Sequence, residues 1–175
     1  WGEIDLVVYC AGAYTPMRAW EIDTAKISQI LDTNLLGAYH TAQVMLPYLM
    51  RRGAGGICLV ASAAGYTGLP KALAYGPGKA ALINLAQILY TDLSSLGIGV
   101  YVVNPGFVET RLTQQNDFRM PALISADDAA REIVSGLARG RFEIHFPKRF
   151  TRWMKLLACL PYRLRVYLRK RAVQR

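Results

Sequence analysis

Short apolar runs alternate with longer amphipathic segments along most of this chain. The apolar runs lie at 5–9, 57–61, 98–103 and 141–146, and glycine or proline lies close to at least one end of each. Such runs are typical of buried strands, and the segments between them have apolar residues at helical spacing. Strands that alternate with helices predict an α/β fold with a parallel sheet.

Helix-capping residues support this division of the chain. We predict a helix beginning at Asp23 and further helices over 33–50, 75–96 and 125–138. Asp23 is a plausible N-cap residue, and Ser125 opens a capping box with Asp128. Gly97 provides a stop after the third helix. Asn34 lies at the join between the first two helices.

Three segments follow the predicted strands at the end where parallel sheets bind ligands. Gly12 closes the first strand, Ser62 follows the second, and Pro105 and Gly106 follow the third. In open α/β sheets, ligands bind beyond the carboxyl ends of the strands. These segments should therefore converge on one crevice.

The chain carries a Tyr-x-x-x-Lys pattern at Tyr75 and Lys79. Residues four apart share a helix face, which would bring the Lys79 ammonium near the Tyr75 phenol. A nearby cation lowers a tyrosine pKa from its ordinary value of about 10. With the Ser62 hydroxyl, the pair would supply a proton donor, an electrostatic partner and a hydrogen bond to a carbonyl. Taken alone, the pattern also fits a tyrosine at the edge of the core and a solvated lysine.

Taken together, these motifs resemble the short-chain dehydrogenase/reductase family over residues 1–147. The matching segments are Leu6–Gly12 (the family's NNAG strand), Asp32–Gly37 (its asparagine helix), Ser62 with Tyr75 and Lys79, and Asn104–Thr110 (its PG motif). The resemblance implies the C-terminal part of a Rossmann-type doubly wound parallel sheet. It also implies an oxidoreductase that interconverts a carbonyl and an alcohol by hydride transfer.

The resemblance implies a role for each matching residue. Tyr75 would be the general acid or base, Ser62 would hold the substrate oxygen, and Lys79 would bind the nicotinamide ribose and lower the tyrosine pKa. Asn34 would position a water in a proton relay to Lys79. The implied cofactor-binding residues are Ala11, Gly12, Asn34, Tyr75, Lys79, Pro105, Gly106, Val108 and Thr110. Residues 111–125 would form the substrate loop.

The sequence departs from the family pattern in two places. Tyr9 and Cys10 stand where the family has two asparagines, so only Ala11 and Gly12 remain of that motif. The glycine-rich half with which the family begins has no counterpart in these 175 residues. We therefore expect part of a longer reductase that binds its cofactor poorly by itself. The implied cofactor is NAD(P)(H), with NADP(H) slightly favoured. The residue that normally selects between NAD and NADP would lie in the glycine-rich half.

Charge separates the chain into two parts. Residues 1–147 carry a net charge of −1, whereas 148–175 contain ten Lys or Arg and no acid. We therefore predict a partial Rossmann domain over 1–147 and a basic amphipathic helical tail over 148–175. Trp, Phe and Leu among the basic residues are typical of an interfacial helix on anionic lipid. The tail could equally pack on the body or on a partner subunit.

The remaining residues narrow the function. Cys10, Cys58 and Cys159 are widely spaced, so we expect buried reduced thiols at Cys10 and Cys58 and a cytoplasmic location. The sequence shows no metal-ligand spacing and no apolar stretch that could span a bilayer. We also expect no signal peptide. The aromatic residues are not arranged as stacking platforms, so we do not expect nucleic-acid binding. We expect a small-molecule substrate, lipid-like if the tail meets a membrane, and a homo-oligomer. Two alternatives are a related epimerase or dehydratase and a non-catalytic scaffold that keeps the fold.

Overall fold

The protein forms a four-stranded parallel sheet with helices on both faces. The structure is a computed structural model that describes residues 2–118 and 120–173. The strands are β1 Leu6–Tyr9, β2 Gly56–Val60, β3 Gly99–Pro105 and β4 Glu143–Phe146, in the order β1-β2-β3-β4. The helices are α1 Thr24–Leu31, α2 Gly37–Arg52, α3 Tyr75–Leu93, α4 Ala126–Ala138, α5 Lys148–Cys159 and α6 Tyr162–Val173. The predicted α/β class and parallel sheet are confirmed.

Alternate residues of the strands build two separate cores. In β2, Ile57 and Leu59 belong to the core formed with α2 and α3, and Cys58 between them belongs to the opposite core, which includes Ala129 of α4. Successive side chains of a strand point to opposite faces of the sheet, and burial of both faces explains the continuous apolar runs. The helices on both faces make this a doubly wound sheet.

The predicted helix ends are confirmed where a capping side chain or glycine marks them. Asp23 accepts a hydrogen bond from the Lys26 amide at the start of α1, and Ser125 accepts one from the Asp128 amide at the start of α4. Gly97 has the left-handed φ of +73° that glycine adopts readily. The join near Asn34 differs from the prediction, because a π-helical turn, Asp32–Leu36, runs directly into α2.

The cysteines are free, but their predicted burial is only partly right. Cys58 is buried in the sheet, and its burial raises the pKa of its thiol to about 12. Cys10 is exposed, contrary to the prediction, because it comes directly after the last residue of β1 and no longer lies between two packed layers. Cys159 is also exposed, at the end of α5.

The basic tail begins with a helix that packs on the sheet. Thr151 and Met154 of α5 are buried, and Lys155 forms an ion pair with Glu143 of β4. Helix α5 ends before Leu160, and Leu160 and Pro161 are not helical, so α5 and α6 are separate helices. Arg119 of the predicted substrate loop and Gln174 and Arg175 of the tail lie outside the described residues, as does Trp1. Among the described residues, no helix is both long and apolar enough to cross a bilayer.

Candidate active site

Ser62 lies just beyond the carboxyl end of β2, as predicted. Its side chain accepts a hydrogen bond from the Ala64 amide (3.1 Å) and donates to the Pro105 carbonyl (3.5 Å). The first bond caps the short 3₁₀ turn Ala63–Gly65, and the second links this turn to the end of β3. The Ser62 hydroxyl is thereby fixed between two of the three segments that the sequence placed at this edge.

Tyr75 and Lys79 lie one turn apart at the start of α3. Lys79 is buried, and its ammonium lies 5.6 Å from the centre of the Tyr75 ring and donates to the Val60 carbonyl at 2.8 Å. The Tyr75 ring also packs edge-on against Tyr14, with 5.2 Å between ring centres. The solvated lysine that the sequence left open is therefore excluded, and the two side chains do share one helix face.

The electrostatics of this pair differ from the expectation. Burial raises the Tyr75 pKa, and the hydrogen bond with Ser62 only partly offsets that rise. Burial lowers the Lys79 pKa to about 8, with the nearby Cys10 acting weakly in the opposite direction. The predicted lowering of the tyrosine pKa by Lys79 is thus not found, because the removal of the phenol from water has the largest effect on its pKa.

Asn34 closes the site from the opposite side and fixes the segment after β1. Its fully buried side chain accepts from the Ala13 amide (2.6 Å) and donates to the Ala13 carbonyl (2.9 Å). The π-helical turn that contains Asn34 is held to β1 by the Tyr9 hydroxyl, which donates to the Thr33 carbonyl at 2.5 Å. The family resemblance implied that Asn34 positions a water in a proton relay. The two hydrogen bonds between Asn34 and the Ala13 backbone could be found only in the folded structure.

Gly12 lies between the two buried polar side chains. A Cβ at this position would stand 3.7 Å from the Lys79 ammonium and 3.8 Å from the Asn34 amide oxygen. Ala11 and Gly12 are both exposed. The backbone at Gly12 therefore leaves an open approach to Lys79, as a nicotinamide ribose would require.

The residues after β3 are less free than predicted to contact a cofactor. The Gly106 amide donates to the Phe146 carbonyl at 2.6 Å, and a Cβ on Gly106 would stand only 2.8 Å from the Phe150 ring. The structure therefore requires glycine at this position for the packing of α5, and Gly106 has no spare backbone donor. Pro105 accepts the hydrogen bond from Ser62.

Val108 and Thr110 lie in a loop that is fixed within the chain. Val108 forms a parallel bridge with Ile124, and its carbonyl accepts from the Thr113 hydroxyl at 2.6 Å. Thr110 is exposed, and its hydroxyl lies 3.3 Å from that of Thr113. The exposed Thr110 hydroxyl thus remains able to meet a ligand, whereas the Val108 carbonyl already has a partner.

A cavity of about 640 Å³ opens beside Ser62 and Tyr75. Its walls are mainly apolar and come from the segment after β1, the loop before α3, the predicted substrate loop and α5. The side chains in these walls include Tyr14, Leu69, Pro70, Phe107, Leu112, Phe118, Pro121, Phe150 and Met154. Arg18 and Lys71 also line it, and Lys71 pairs with Asp117. Ser62 and Tyr75 both line this mainly apolar cavity, which suits a largely apolar ligand.

Sequence reasoning missed the wall that α5 provides. Phe150 packs against Phe107 with 5.5 Å between ring centres, and Met154 is buried beside it. Both residues lie beyond 147, in the segment that was set apart as a tail by its charge. Their spacing of four on an amphipathic helix was the available signal, but it does not reveal which surface the helix covers.

A polar network joins α5 to the loop of Ser62 and to the end of β3. Glu143 accepts from the Tyr66 hydroxyl (2.6 Å) and from the Asn104 amide (2.8 Å), and its other oxygen pairs with Lys155. Tyr66 follows the Ser62 turn, and Asn104 precedes Pro105. One carboxylate therefore connects the loop of Ser62, the end of β3 and α5.

The residues present fit the nicotinamide end of a dinucleotide. Lys79 and Asn34 flank the side-chain-free backbone at Gly12, with the Tyr75 hydroxyl on the same side as the cavity. The part of the chain that the structure describes has no cluster of three or more His, Cys, Asp or Glu side chains that could hold a metal ion.

Comparisons with known proteins agree with this geometry. An uncharacterised oxidoreductase of Myxococcus xanthus is 37% identical over 146 residues, which cover 83% of this chain and 58% of that protein. Human 17-beta-hydroxysteroid dehydrogenase 13 is 27% identical over 97% of this chain and 57% of its own length. The chain thus spans somewhat more than half the length of these relatives.

The fold has solved counterparts. A short-chain dehydrogenase from Sphingobium yanoikuyae, solved in complex with NADPH, has a TM-score of 0.79 at 22% identity, over 87% of this chain and 61% of that one. This likeness shows the Rossmann fold. A model of the short chain dehydrogenase family matches residues 1–120, well over half of the chain and a range that contains Asn34, Ser62, Tyr75 and Lys79. The protein therefore belongs to the short-chain dehydrogenase family.

Proposed function

We propose that this protein interconverts a carbonyl and an alcohol with a nicotinamide cofactor. The observation that carries the proposal is a pair of hydroxyl side chains in one cavity wall, Ser62 and Tyr75, with the Lys79 ammonium 5.6 Å from the centre of the Tyr75 ring. Two hydroxyl donors directed at one point can bind a carbonyl oxygen and deliver a proton to it. We propose 1–147 as the catalytic part of a Rossmann domain and 148–175 as a basic amphipathic tail whose first helix also lines the cavity.

In this proposal the chain's own groups handle the proton and the oxygen. Ser62 gives up its long 3.5 Å hydrogen bond to the Pro105 carbonyl and donates to the substrate carbonyl instead. Tyr75 transfers its phenolic proton to the same oxygen as the alcohol forms. The raised Tyr75 pKa keeps the phenol protonated near neutral pH, which suits reduction. The buried Lys79 ammonium offsets the phenolate charge that develops when the proton leaves.

The cofactor would lie against Gly12, with Lys79 and Asn34 on either side of its ribose. When bound, the nicotinamide supplies or accepts the hydride. Ala11, Pro105, Gly106, Val108 and Thr110 remain proposed contacts, with Thr110 the one that offers an exposed hydroxyl. NAD(P)(H) is proposed, with NADP(H) favoured. Solved structures with this fold contain NADPH in one case and NADH in another, in a 4-hydroxyisoleucine dehydrogenase.

The cavity supports a bulky, apolar, lipid-like substrate. Phe107, Phe118, Phe150 and Met154 give it walls without hydrogen-bonding groups, and about 640 Å³ is ample for a multi-ring or long-chain molecule. A relative named for 17-beta-hydroxysteroid oxidation supports the same substrate class. Arg18 at the cavity suits a polar or anionic group on one end of such a molecule.

We also propose a cytoplasmic homo-oligomer with peripheral membrane contact through 148–175. Exposed apolar side chains on α2 and α3, among them Tyr39, Val44 and Ile88, support subunit packing. The free cysteines support a reducing compartment. Nucleic acid is not a proposed partner.

The experiment that tests the function replaces Tyr75 by phenylalanine. Phe keeps the ring that packs on Tyr14 and removes only the proton donor, so we expect kcat for ketone reduction to fall by roughly 100-fold or more. Tyr39→Phe on the exposed face of α2 serves as the matched control and should retain full activity. Oxidation of NADPH and of NADH is measured against a panel of apolar ketones, with the chain alone and with the family's glycine-rich half joined to it, because we expect the chain alone to bind the cofactor poorly.

The same experiment separates the alternatives. A scaffold that only keeps the fold would turn over none of the ketones, with or without the substitution. An epimerase or dehydratase would convert its substrate without net consumption of the reduced cofactor. Undiminished turnover by the Tyr75→Phe protein would refute the assigned role of the phenol.

A further inference from the structure

Helix α5 has two faces that contact different surroundings. Phe150, Thr151 and Met154 point toward the body, where Thr151 and Met154 are buried. The outward face is formed by Arg149, Arg152, Trp153 and Leu156, of which Trp153 and Leu156 are both 56% exposed. Single exposed apolar side chains are common on protein surfaces. Here, however, a tryptophan and a leucine share one helix face with two arginines, a mixture typical of an interfacial helix.

The inward face makes α5 a wall of the substrate cavity. Phe150 packs on Phe107, and both Phe150 and Met154 line the cavity. The helix is held in place by the Lys155–Glu143 ion pair and by a 2.6 Å hydrogen bond between the Thr151 hydroxyl and His145 of β4. The outward face and the cavity therefore lie on opposite sides of one fixed helix.

The outward face lies in a region of excess positive charge, although Lys155 of the same helix pairs with Glu143. Residues 148–175 contain ten cations and no acid. Burial lowers the Lys148 pKa, and although Glu132 raises it, the neighbouring Arg141 and Arg152 lower it further. Cations that repel one another on the protein surface are complementary to an anionic surface of the same extent.

Apolar exposure continues along α6 with the same chemistry. Tyr162, Leu164 and Tyr167 are each at least 45% exposed, and Arg165 and Arg171 stack on the rings of Tyr162 and Tyr167 respectively. Trp, Tyr and Leu beside Arg match the boundary of a bilayer, where rings and aliphatic chains enter the acyl region and cations meet phosphates. A partner protein would have to supply both an apolar and an acidic surface in the same pattern.

We propose that the outward face of α5, continued by α6, docks on the surface of an anionic lipid bilayer, and that the cavity behind it receives an apolar ketone or alcohol dissolved in that bilayer. The second half rests on the proposed function. The two halves of the proposal fit together, because only α5 separates the docked face from the cavity. An apolar substrate would therefore travel a short distance between the bilayer and the cavity.

Docking is tested by co-sedimentation of the chain with vesicles, without any substrate. We expect binding to phosphatidylcholine vesicles that contain phosphatidylserine and far weaker binding to phosphatidylcholine alone. Arg149→Ser with Leu156→Ser removes one cation and one apolar side chain from the outward face, and should weaken binding to the anionic vesicles roughly tenfold. The control is Arg131→Ser with Val134→Ser, a similarly exposed pair on α4, which should bind as the wild type does.

Three results would overturn the docking proposal. They are equal binding to both vesicle types, equal loss in the test and control proteins, and a drop in the oligomeric mass of the test protein by analytical ultracentrifugation. The last would assign the outward face to a second copy of the chain. None of these measurements depends on catalysis, so docking can stand even if the protein reduces no ketone.

Delivery from the bilayer is tested by comparing two substrates. A long-chain ketone carried in anionic vesicles should be reduced several-fold more slowly by the Arg149→Ser, Leu156→Ser protein, whereas a short water-soluble ketone should be reduced at the wild-type rate. Equal rates on the vesicle-borne ketone would overturn delivery from the bilayer. Loss of both activities would show that the change damages the cavity wall, and would overturn delivery as well.

Discussion

Replacing Glu143 should lower the free energy of unfolding, because this carboxylate joins three parts of the fold. It is the shared acceptor for the Tyr66 hydroxyl at 2.6 Å and the Asn104 amide at 2.8 Å, and it pairs with Lys155. Glu143→Leu has nearly the same volume and leaves both donors without an acceptor. We expect this one substitution to loosen the Ser62 loop, the end of β3 and α5 together.

The magnitude follows from the burial of each partner. Asn104 is fully buried and Tyr66 half-buried, and a buried donor left unsatisfied costs about 1–3 kcal/mol. The Lys155 side chain is 35% exposed, so solvent screening reduces its ion pair to about 1 kcal/mol or less. Glu143→Leu should therefore lower the free energy of unfolding by about 2–5 kcal/mol. Glu143→Gln keeps one carbonyl acceptor and should cost less.

Urea unfolding followed by circular dichroism measures this loss. The midpoint should fall by about 1 M or more for Glu143→Leu, given a typical dependence on urea of about 1–3 kcal/mol per M. Glu132→Leu changes the same residue type on the exposed surface of α4 and should shift stability by less than about 0.5 kcal/mol. Equal midpoints for the two leucine variants would refute the reasoning.

The network also predicts an acid dependence. Burial raises the Glu143 pKa, but the hydrogen bonds from Lys155, Tyr66 and Asn104 together outweigh burial and hold the pKa below its ordinary value of 4.5. A carboxyl with a lowered pKa stabilises the fold above its unfolded pKa, and this contribution is lost as the pH falls through the folded value. The stability advantage of the wild type over Glu143→Gln should therefore shrink below about pH 4.5. An advantage that stays constant down to pH 3 would contradict it.

Two further predictions concern buried ionisable groups. In the native chain, Cys10 and Cys159 should react quickly with a maleimide, whereas Cys58 should react only in urea. The reason is that Cys58 is buried and the pKa of its thiol is raised to about 12. Labelling is followed by mass spectrometry, and equal labelling rates for Cys58 and the other two would contradict the fold at β2. Burial lowers the Lys79 pKa from 10.5 to about 8, so the folded chain binds fewer protons than the unfolded chain between these two pH values. The stability of the wild type relative to Lys79→Met, measured by urea unfolding, should therefore rise from pH 8 towards pH 10.5. A difference that does not change over this interval would exclude a buried Lys79.

Local patterns were sufficient for the elements and for the edge of the sheet where the site lies. The apolar runs predicted the four strands, and capping residues such as Asp23 and Ser125 predicted helix starts, because both signals are patterns of neighbouring residues in the sequence. The convergence of Gly12, Ser62 and Pro105 followed from one rule, since the carboxyl ends of parallel strands lie at one edge. No distant contact had to be known for these conclusions.

The pKa values of the site could not be predicted in this way. The pattern Tyr75–Lys79 suggested a lowered tyrosine pKa from attraction across one helix turn, and the structure shows a raised one. Burial decides the sign, and burial of Tyr75 depends on Tyr14 and on the loop that follows β2, far apart in sequence. The prediction that Cys10 is buried was wrong for the same reason, because the exposure of a residue depends on the layers that pack around it.

The sequence alone determined the fold class, the family and the edge of the sheet that bears the site, because strand periodicity and a few catalytic side chains are local features of the chain. Only the tertiary structure decided that α5, set apart by its charge, forms a wall of the cavity and that Gly106 must be glycine to admit Phe150. The physical reason is that an amphipathic helix specifies an apolar face but not the surface that covers it. That choice is made by shape and by partners such as Glu143 and Lys155, which meet only when the chain has folded.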